Sequence, residues 1–356
     1  MSIDWKDNLS FIDPKEHKDI QITGFLDPDK YLRIPEIHFN ALEKENPVLT
    51  GLIRQTSGGM LKFKTDSPTL ALKAKTTNEN YGSGLTPNVV SGFDCYIYNE
   101  ERCAWNYVNV ARSENEEEVL FFENLAGEKE IIIHFPLFAQ VLSLKIGIDK
   151  KAAIKKPKPF SVKGRLVYYG TSLTQGANAS RPGINYVSTI SRNLNIETLN
   201  LGFSGNGLGE PTIRKAIREI ADMMMLVIDY DANAGATGSL YTTLKPFISE
   251  VREYYPTLPI VIISRIFYIL EDYSAETKNK MAHRRTFQKE TVESLNESHI
   301  YYIHGKTLLP EKPFDCFSDQ IHLNDLGFYW FSQNLTDKLK QILIREGVVK
   351  EWKQKS

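Results

Sequence analysis

The feature that most constrains the fold is a change in the rhythm of apolar residues near residue 150. Beyond this point, apolar runs occupy residues 165–169, 196–203, 224–230, 259–265 and 300–305. Apolar residues at helical spacing follow Pro211 in one of the intervening segments: Ile213, Ala216, Ile217 and Ile220. Alternating strands and helices form parallel sheets with helices on both faces, because the right-handed crossover returns the chain to the same sheet. The second half is therefore predicted to be an α/β domain.

The first half has a different pattern, in which short apolar stretches, many with strict alternation, are separated by turn residues. These stretches cover residues 60–64, 70–75, 94–98, 105–110, 118–122, 130–135 and 141–148. They predict an antiparallel β-sandwich. Residues 149–160 then contain five lysines and two prolines, which is typical of a linker or a strap across a domain junction. We therefore predict a β-sandwich domain over residues 1–155 and an α/β domain over residues 156–356.

Length and charge agree with this division and exclude several classes of partner. A chain of 356 residues is longer than one hydrophobic core usually serves. With 43 basic and 44 acidic side chains, no overall field favours nucleic acid or an anionic membrane. The three cysteines fit neither a disulfide framework nor a zinc site and are expected to be buried thiols. The start of the chain has no leader pattern, which favours a cytoplasmic location, and homo-oligomerisation stays open.

The segment GTSLTQG, residues 170–176, directly follows the first apolar run of the α/β half. In such a sheet, ligands gather outside the carboxyl ends of the strands, which is where Ser172 is expected to lie. A serine hydroxyl is a weak nucleophile at neutral pH, so catalysis requires a histidine to accept its proton and a carboxylate to orient that histidine. The alternative is an ordinary turn serine.

The histidine that best meets this requirement is His322, which Asp319 precedes by three residues in the segment SDQIHLNDLGF. One short loop would then supply both the base and its orienting carboxylate, and Asn324 can cap the helix that follows. His304, at the end of the last apolar run, is the rival base, although a structural histidine is the simpler interpretation there. A capping or surface pair is the alternative for Asp319 and His322.

Candidate donors for an oxyanion follow the second and third apolar runs. Gly205 lies in the glycine-rich loop over residues 202–209, and Asn233 lies in DANAG. Ser204 in GFSGN nearly matches the G-x-S-x-G nucleophile elbow, but Asn206 replaces its last glycine, so Ser204 ranks below Ser172.

Asp229 and Asp231, two residues apart after the third apolar run begins, are the carboxylates that most resemble a metal pair. No His/Glu cluster accompanies them at ligand spacing, so neither a metal nor a cofactor is expected.

These segments together resemble the blocks of the SGNH (GDSL-type) hydrolases, with Ser172, Gly205, Asn233 and His322 in the four eponymous places. The segment GFDCY, residues 92–96, resembles the G-x-D-L-Y signature of the subgroup with an N-terminal β-sandwich. This resemblance implies a flavodoxin-like three-layer α/β/α hydrolase domain behind a jelly-roll-like sandwich. It also implies a Ser-His-Asp triad with Asp319 as orienter, and an oxyanion hole made by Ser172, Gly205 and Asn233.

The function predicted from this resemblance is hydrolysis of short-chain esters, acetyl esters on carbohydrate above all, through an acyl-enzyme. The substrate is expected to be a small-molecule or oligosaccharide ester. Asn178 and Arg181, in the loop after the serine, are predicted to donate hydrogen bonds to a polar leaving group. The alternatives are a lipase-like or thioesterase-like acylhydrolase, an acyltransferase, or a glycan-binding protein with weakened catalysis.

Overall fold

The first half of the chain forms two antiparallel sheets in a computed structural model, which describes residues 5–77 and 84–350. Its strands are β1 (Leu9–Ile12), β2 (Gln21–Thr23), β3 (Met60–Thr65), β4 (Leu70–Thr76), β5 (Gly92–Asn99), β6 (Ala104–Arg112), β7 (Asn115–Phe122), β8 (Lys129–His134), β9 (Val141–Asp149) and β10 (Ile154–Lys155). Its helices are α1 (Phe39–Glu45), α2 (Pro47–Arg54) and α3 (Pro87–Ser91). The predicted antiparallel architecture of this half is confirmed.

The two sheets pack face to face because their strands alternate inward and outward residues. One sheet has the order β1-β9-β4-β7, and the other has the order β10-β3-β8-β5-β6 with β2 added beside β3. Leu61 and Phe63 of β3 meet Leu70 and Leu72 of β4 in the core between them. The lysine-rich segment is held against the sandwich, since β10 pairs with β3 and the Lys158 amide donates to Glu130 Oε1 at 2.9 Å. It is a strap rather than a free linker.

The second half forms one parallel sheet, as predicted. Its strands are β11 (Arg165–Gly170), β12 (Glu197–Gly202), β13 (Met223–Asp229), β14 (Ile260–Ile263) and β15 (Ile300–Ile303). Its helices are α4 (Ser172–Gln175), α5 (Tyr186–Leu194), α6 (Pro211–Arg218), α7 (Asp231–Thr237), α8 (Leu240–Tyr254), α9 (Ala275–Leu295) and α10 (Asp325–Arg345). The strand order β12-β11-β13-β14-β15 is the 2-1-3-4-5 order of flavodoxin-like sheets. Because the strands are parallel, the carboxyl ends of all five lie at the same edge of the sheet.

Helices cover both faces of the parallel sheet. Alternate residues of β11 point to opposite sides, so that Tyr168 packs in the core with α5 and α10, and Tyr169 packs in the core with α6 and α8. The second core also contains five buried residues from the segment 34–53, which are Ile34, Leu42, Leu49, Leu52 and Ile53. Part of the chain before residue 155 therefore belongs to the hydrophobic core of the α/β layer, which the sequence pattern did not indicate.

Two smaller expectations concern cysteines and membranes. Cys95 and Cys316 are buried free thiols as expected, whereas Cys103 is exposed on the turn between β5 and β6. Within residues 5–77 and 84–350, no helix has the length and apolar character needed to cross a bilayer.

Candidate active site

Ser172 is the first residue of α4, immediately beyond the end of β11. The turn requires glycine at position 170, because a Cβ there would lie 1.9 Å from Thr174 Oγ1 and 2.6 Å from the Asp229 carbonyl oxygen. Gly176 ends the short helix in the left-handed region, at φ +106°. Ser172 is thus held on a tight bend at the carboxyl edge of the sheet.

The structure brings Ser172, His322 and Asp319 together. Ser172 Oγ lies 2.9 Å from His322 Nε2, and Asp319 Oδ2 lies 2.8 Å from His322 Nδ1. Asp319 Oδ1 also accepts hydrogen bonds from the backbone amides of Ile321 and His322, both at 2.7 Å. Burial acts to raise the pKa of Asp319, but the hydrogen bonds from His322 and Ile321 outweigh it and leave this pKa below its ordinary value. An ionised Asp319 can therefore hold the proton of His322 on Nδ1, which leaves Nε2 free to accept the serine proton.

Backbone contacts join the two ends of the loop that carries His322. Residues Phe317 and Leu323 form an isolated antiparallel bridge, and the Ser318 amide donates to the His322 carbonyl oxygen at 3.0 Å. Asn324 caps α10 by accepting a hydrogen bond from the Gly327 amide at 3.0 Å, as predicted. The rival base His304 precedes a short 3-10 helix after β15 without a side-chain hydrogen bond to it, and its ring lies beside that of Tyr302.

The oxyanion candidates Gly205 and Asn233 lie on the glycine-rich loop after β12 and in the first turn of α7, respectively. Gly205 is exposed with φ +68° and nothing crowds its Cβ position, so its backbone can face a ligand. The Phe203 amide donates to the Gly170 carbonyl oxygen at 3.0 Å, which ties this loop to β11. The Asn233 amide group donates to the Asn206 carbonyl oxygen. The roles of Gly205 and Asn233 as oxyanion donors stay predictions.

A residue that sequence reasoning missed, Gln175, holds the glycine-rich loop in place. It is fully buried at the end of α4, and its Oε1 accepts a hydrogen bond from the Ser204 amide at 2.8 Å. Its Nε2 donates to the Leu137 carbonyl oxygen at 3.0 Å. The competitor Ser204 is thus fixed through its backbone by Gln175, whereas the His322 ring contacts Ser172. The only sequence signal for Gln175 was its place three residues after the candidate nucleophile.

The side chains of Asn178 and Arg181 both form polar contacts within the protein. Asn178 Nδ2 donates to Ser318 Oγ at 2.8 Å and to Asp319 Oδ2 at 3.1 Å. Arg181 forms an ion pair with Asp94 of the sandwich, 2.7 Å between Nη1 and Oδ2. Their predicted contacts with a leaving group stay untested, but neither side chain is free in this structure.

Asp229, the last residue of β13, and Asp231, the first residue of α7, have different environments. Asp231 accepts hydrogen bonds from Arg284 Nε at 2.6 Å and from the Arg265 amide at 3.0 Å. Asp229 accepts a hydrogen bond from the Tyr186 hydroxyl at 3.2 Å, and burial raises its pKa to about 7. The described ranges 5–77 and 84–350 contain no group of three or more His, Cys, Asp or Glu residues that could hold a metal.

We expect Asp229→Asn to stabilise the protein at neutral and alkaline pH. The carboxyl ionises near 3.8 when unfolded but near 7 when folded, so the folded state binds more protons between these values. Stability from this group is therefore lost as pH rises through that window, by up to roughly 4 kcal/mol. The amide of Asp229→Asn keeps an acceptor for the Tyr186 hydroxyl and does not ionise.

Thermal melting of both proteins from about pH 4 to pH 8 should show that the gain in stability of Asp229→Asn over wild type grows with pH. Asp272→Asn, at an exposed position, is the control, and equal curves for Asp229→Asn and wild type would contradict the prediction.

Comparison with known families covers both halves of the chain. The model of the GDSL-like lipase/acylhydrolase family matches residues 163–340, and the GxDLY model, the N-terminus of SGNH-hydrolase-type esterases, matches residues 9–154. No curated protein matches the chain.

Several solved structures are similar over nearly their whole length. A protein described as a GDSL-like lipase from Bacteroides ovatus is 25% identical with a TM-score of 0.83, and the match covers 95% of this chain and 98% of that one. The salicylyl-acyltransferase SsfX3 from a tetracycline biosynthetic pathway is 19% identical with a TM-score of 0.76, covering 96% and 98%. A family two carbohydrate esterase from Clostridium thermocellum is 14% identical with a TM-score of 0.58, covering 82% and 94%. The last two likenesses show the fold alone.

Proposed function

Because the chain belongs to the GDSL-like lipase/acylhydrolase family, we propose that it is a serine esterase that removes short acyl groups, acetyl above all, from a carbohydrate ester. The observation that carries this proposal is the 2.9 Å between Ser172 Oγ and His322 Nε2. Asp319 lies at the other ring nitrogen, so the three side chains have the order and spacing of a nucleophile, a base and an orienting acid.

The reaction proceeds in two halves. Ser172 Oγ attacks the ester carbonyl carbon while His322 Nε2 accepts the serine proton, and the resulting imidazolium is stabilised by Asp319. Collapse of the tetrahedral intermediate breaks the bond to the alcohol oxygen, which takes the proton from His322. Water then attacks the acyl carbon with His322 as base. The bond between that carbon and Ser172 Oγ breaks, Oγ takes the proton back from His322, and the carboxylic acid departs. Negative charge on the carbonyl oxygen is held by the backbone amides of Ser172 and Gly205 and the Asn233 side chain.

One further side chain at this edge is a candidate substrate contact. Arg265 directly follows Ser264 at the end of β14, and its backbone is held by Asp231, two residues before Asn233. The residue is more than nine-tenths buried, and its guanidinium lies 5.7 Å from the centre of the Tyr268 ring, within the electrostatic influence of the Asp231 carboxylate. A guanidinium at the carboxyl edge of the sheet carries several hydrogen-bond donors, so Arg265 is suited to bind an oxygen-rich substrate.

Ester turnover and acyl trapping test the proposal together. The protein is incubated with acetylated xylo- and cello-oligosaccharides, with 4-nitrophenyl acetate and with 4-nitrophenyl laurate as a long-chain comparison. We expect turnover of acetyl esters, preference for acetyl over lauroyl, and a transient acyl group on the peptide that contains residue 172 in the mass spectrum. Preference for laurate would contradict the short-chain assignment.

Acyl transfer is the second candidate, since the fold is shared with a protein described as an acyltransferase. Added acceptor sugar distinguishes it, because transfer gives acylated sugar where hydrolysis gives free acid. Absence of both turnover and labelling by a fluorophosphonate probe would leave only a binding function.

A further inference from the structure

The loop over residues 178–183 connects the candidate triad to the β-sandwich. At its first residue, Asn178 Nδ2 donates to Asp319 Oδ2 at 3.1 Å, and this is the same oxygen that contacts His322 Nδ1. Asn178 adopts the left-handed conformation at φ +65°, which turns its amide group toward the histidine loop. The Asp319 side chain is 44% exposed, so burial alone does not fix its orientation. Asn178 and the imidazole therefore restrain the same carboxylate oxygen.

The other end of the 178–183 loop is held by hydrogen bonds to the carboxylate of Asp94 in β5. This carboxylate is fully buried, and it accepts hydrogen bonds from Arg181 Nη1 at 2.7 Å and from the Gly183 amide at 2.9 and 3.0 Å. The Arg181 guanidinium lies 3.7 Å over the ring of Tyr107. Gly183 has no room for a side chain, because a Cβ would lie 2.9 Å from Asp94 Oδ1. Asp94 is the acidic residue of the GFDCY segment.

The middle of the loop is attached to α10. The Ser180 amide donates to Asp325 Oδ1 at 2.8 Å, and Asp325 is the first residue of the helix that follows the His322 loop. The loop therefore contacts the sandwich, the catalytic acid and the adjoining helix within six residues. A buried ion pair is often no more stabilising than apolar side chains of similar size in its place. Its better-attested role is to fix one geometry of the elements that it joins.

We propose that Asn178 and Asp94 are positioning residues for the triad, Asn178 by holding the Asp319 carboxylate and Asp94 by fixing the loop that presents Asn178. This inference rests on the proposed function and assigns a role to the acidic residue of the sandwich motif. The N-terminal domain then takes part in catalysis by setting the orientation of Asp319, although it supplies no residue that touches the reacting atoms.

Two substitutions at position 178 separate positioning from a purely structural role. Asn178→Gly keeps the left-handed backbone and removes the donor, so we expect about a tenfold loss of kcat/KM for 4-nitrophenyl acetate, the same at every pH. Asn178→Asp places a second carboxyl about 3 Å from Asp319. At low pH the introduced carboxyl shares a proton with Asp319 and replaces the amide donor, and at higher pH both ionise and repel.

The decisive quantity is the ratio of variant to wild-type kcat/KM between about pH 5 and pH 8. For Asn178→Asp this ratio should fall at least about tenfold as pH rises, whereas for Asn178→Gly it should stay constant. A flat ratio for Asn178→Asp would overturn the proposal, because a merely structural residue gives pH-independent losses.

The contribution of the sandwich is tested by Asp94→Asn against Glu130→Gln. Both variants remove a sandwich acid from a buried ion pair. Asp94 pairs with Arg181 of the 178–183 loop, whereas Glu130 pairs with Lys62 inside the sandwich. We expect Asp94→Asn to lower kcat about tenfold with KM within about twofold, and Glu130→Gln to leave kcat unchanged at a comparable loss of melting temperature. Equal effects of the two variants on kcat would overturn the role of Asp94.

Nuclear magnetic resonance of His322 keeps this test separate from that of esterase activity. The Nδ1 proton of His322, hydrogen-bonded to Asp319, should broaden or shift upfield in Asn178→Gly relative to wild type and Glu130→Gln, whether or not any ester is turned over. An unchanged Nδ1 proton resonance in Asn178→Gly would overturn the positioning role even in an active enzyme. A changed resonance in a protein without ester turnover would support positioning and reject the proposed function.

Discussion

Replacing Ser172 by alanine is expected to lower kcat/KM for short-chain esters by at least about a thousandfold. The acyl-enzyme cannot form without the hydroxyl, and what remains is the contribution of binding and of the oxyanion donors. The substitution is structurally mild, because the Ser172 hydroxyl contacts His322 Nε2 and alanine is well tolerated in the first turn of a helix. Steady-state kinetics with 4-nitrophenyl acetate measures the effect, and mass spectrometry should show no acyl group on the variant.

Ser204→Ala is the matched control for the nucleophile. Ser204 lies in the neighbouring glycine-rich loop and is held through its backbone amide, which alanine retains. We expect this variant to keep at least about half of the wild-type kcat/KM, since its side chain has no base beside it. Near-normal activity of Ser172→Ala together with an inactive Ser204→Ala would identify Ser204 as the nucleophile instead.

Replacing Asp319 by asparagine is expected to cost about 10³-fold to 10⁴-fold in kcat with the loop intact. Oδ1 of the asparagine can still accept the amides of Ile321 and His322, so its NH₂ group is directed toward His322 Nδ1. A donor at that place favours the tautomer with the proton on Nε2, which can no longer accept the serine proton. Steady-state kinetics at about pH 8 measures the loss.

Asp315→Asn controls for the lost charge, because Asp315 is an exposed acid on the segment before the same loop. It should retain wild-type kcat. The low pKa of Asp319 also means that its charge is present at neutral pH, and that its stabilising interactions in the folded state disappear as pH falls below its ordinary value of 3.8. A small loss in Asp319→Asn, comparable to that in Asp315→Asn, would exclude Asp319 as the orienting acid.

The sequence determined the features that depend on local pattern. Alternation of apolar runs with helical segments is enough to predict a parallel sheet, and a serine after the first strand must then lie at its ligand-binding edge. The pair Asp319 and His322 could be recognised because the two residues are only three positions apart on one loop. Asn324 could be recognised as a cap for the same reason, since the cap and its helix are adjacent in the chain.

Only the tertiary structure decided what the polar side chains contact across long separations. Asn178 and Arg181 read as exposed donors for a substrate, but their partners are Asp319 and Asp94, far away in the sequence. Arg33 is fully buried and donates to the carbonyl oxygens of Asn200 and Gly202 at the end of β12, which no local pattern indicates. The physical reason is that periodicity reports which face of an element is buried. The partner of a buried donor or acceptor is chosen only when packing brings together elements that the chain itself does not place side by side.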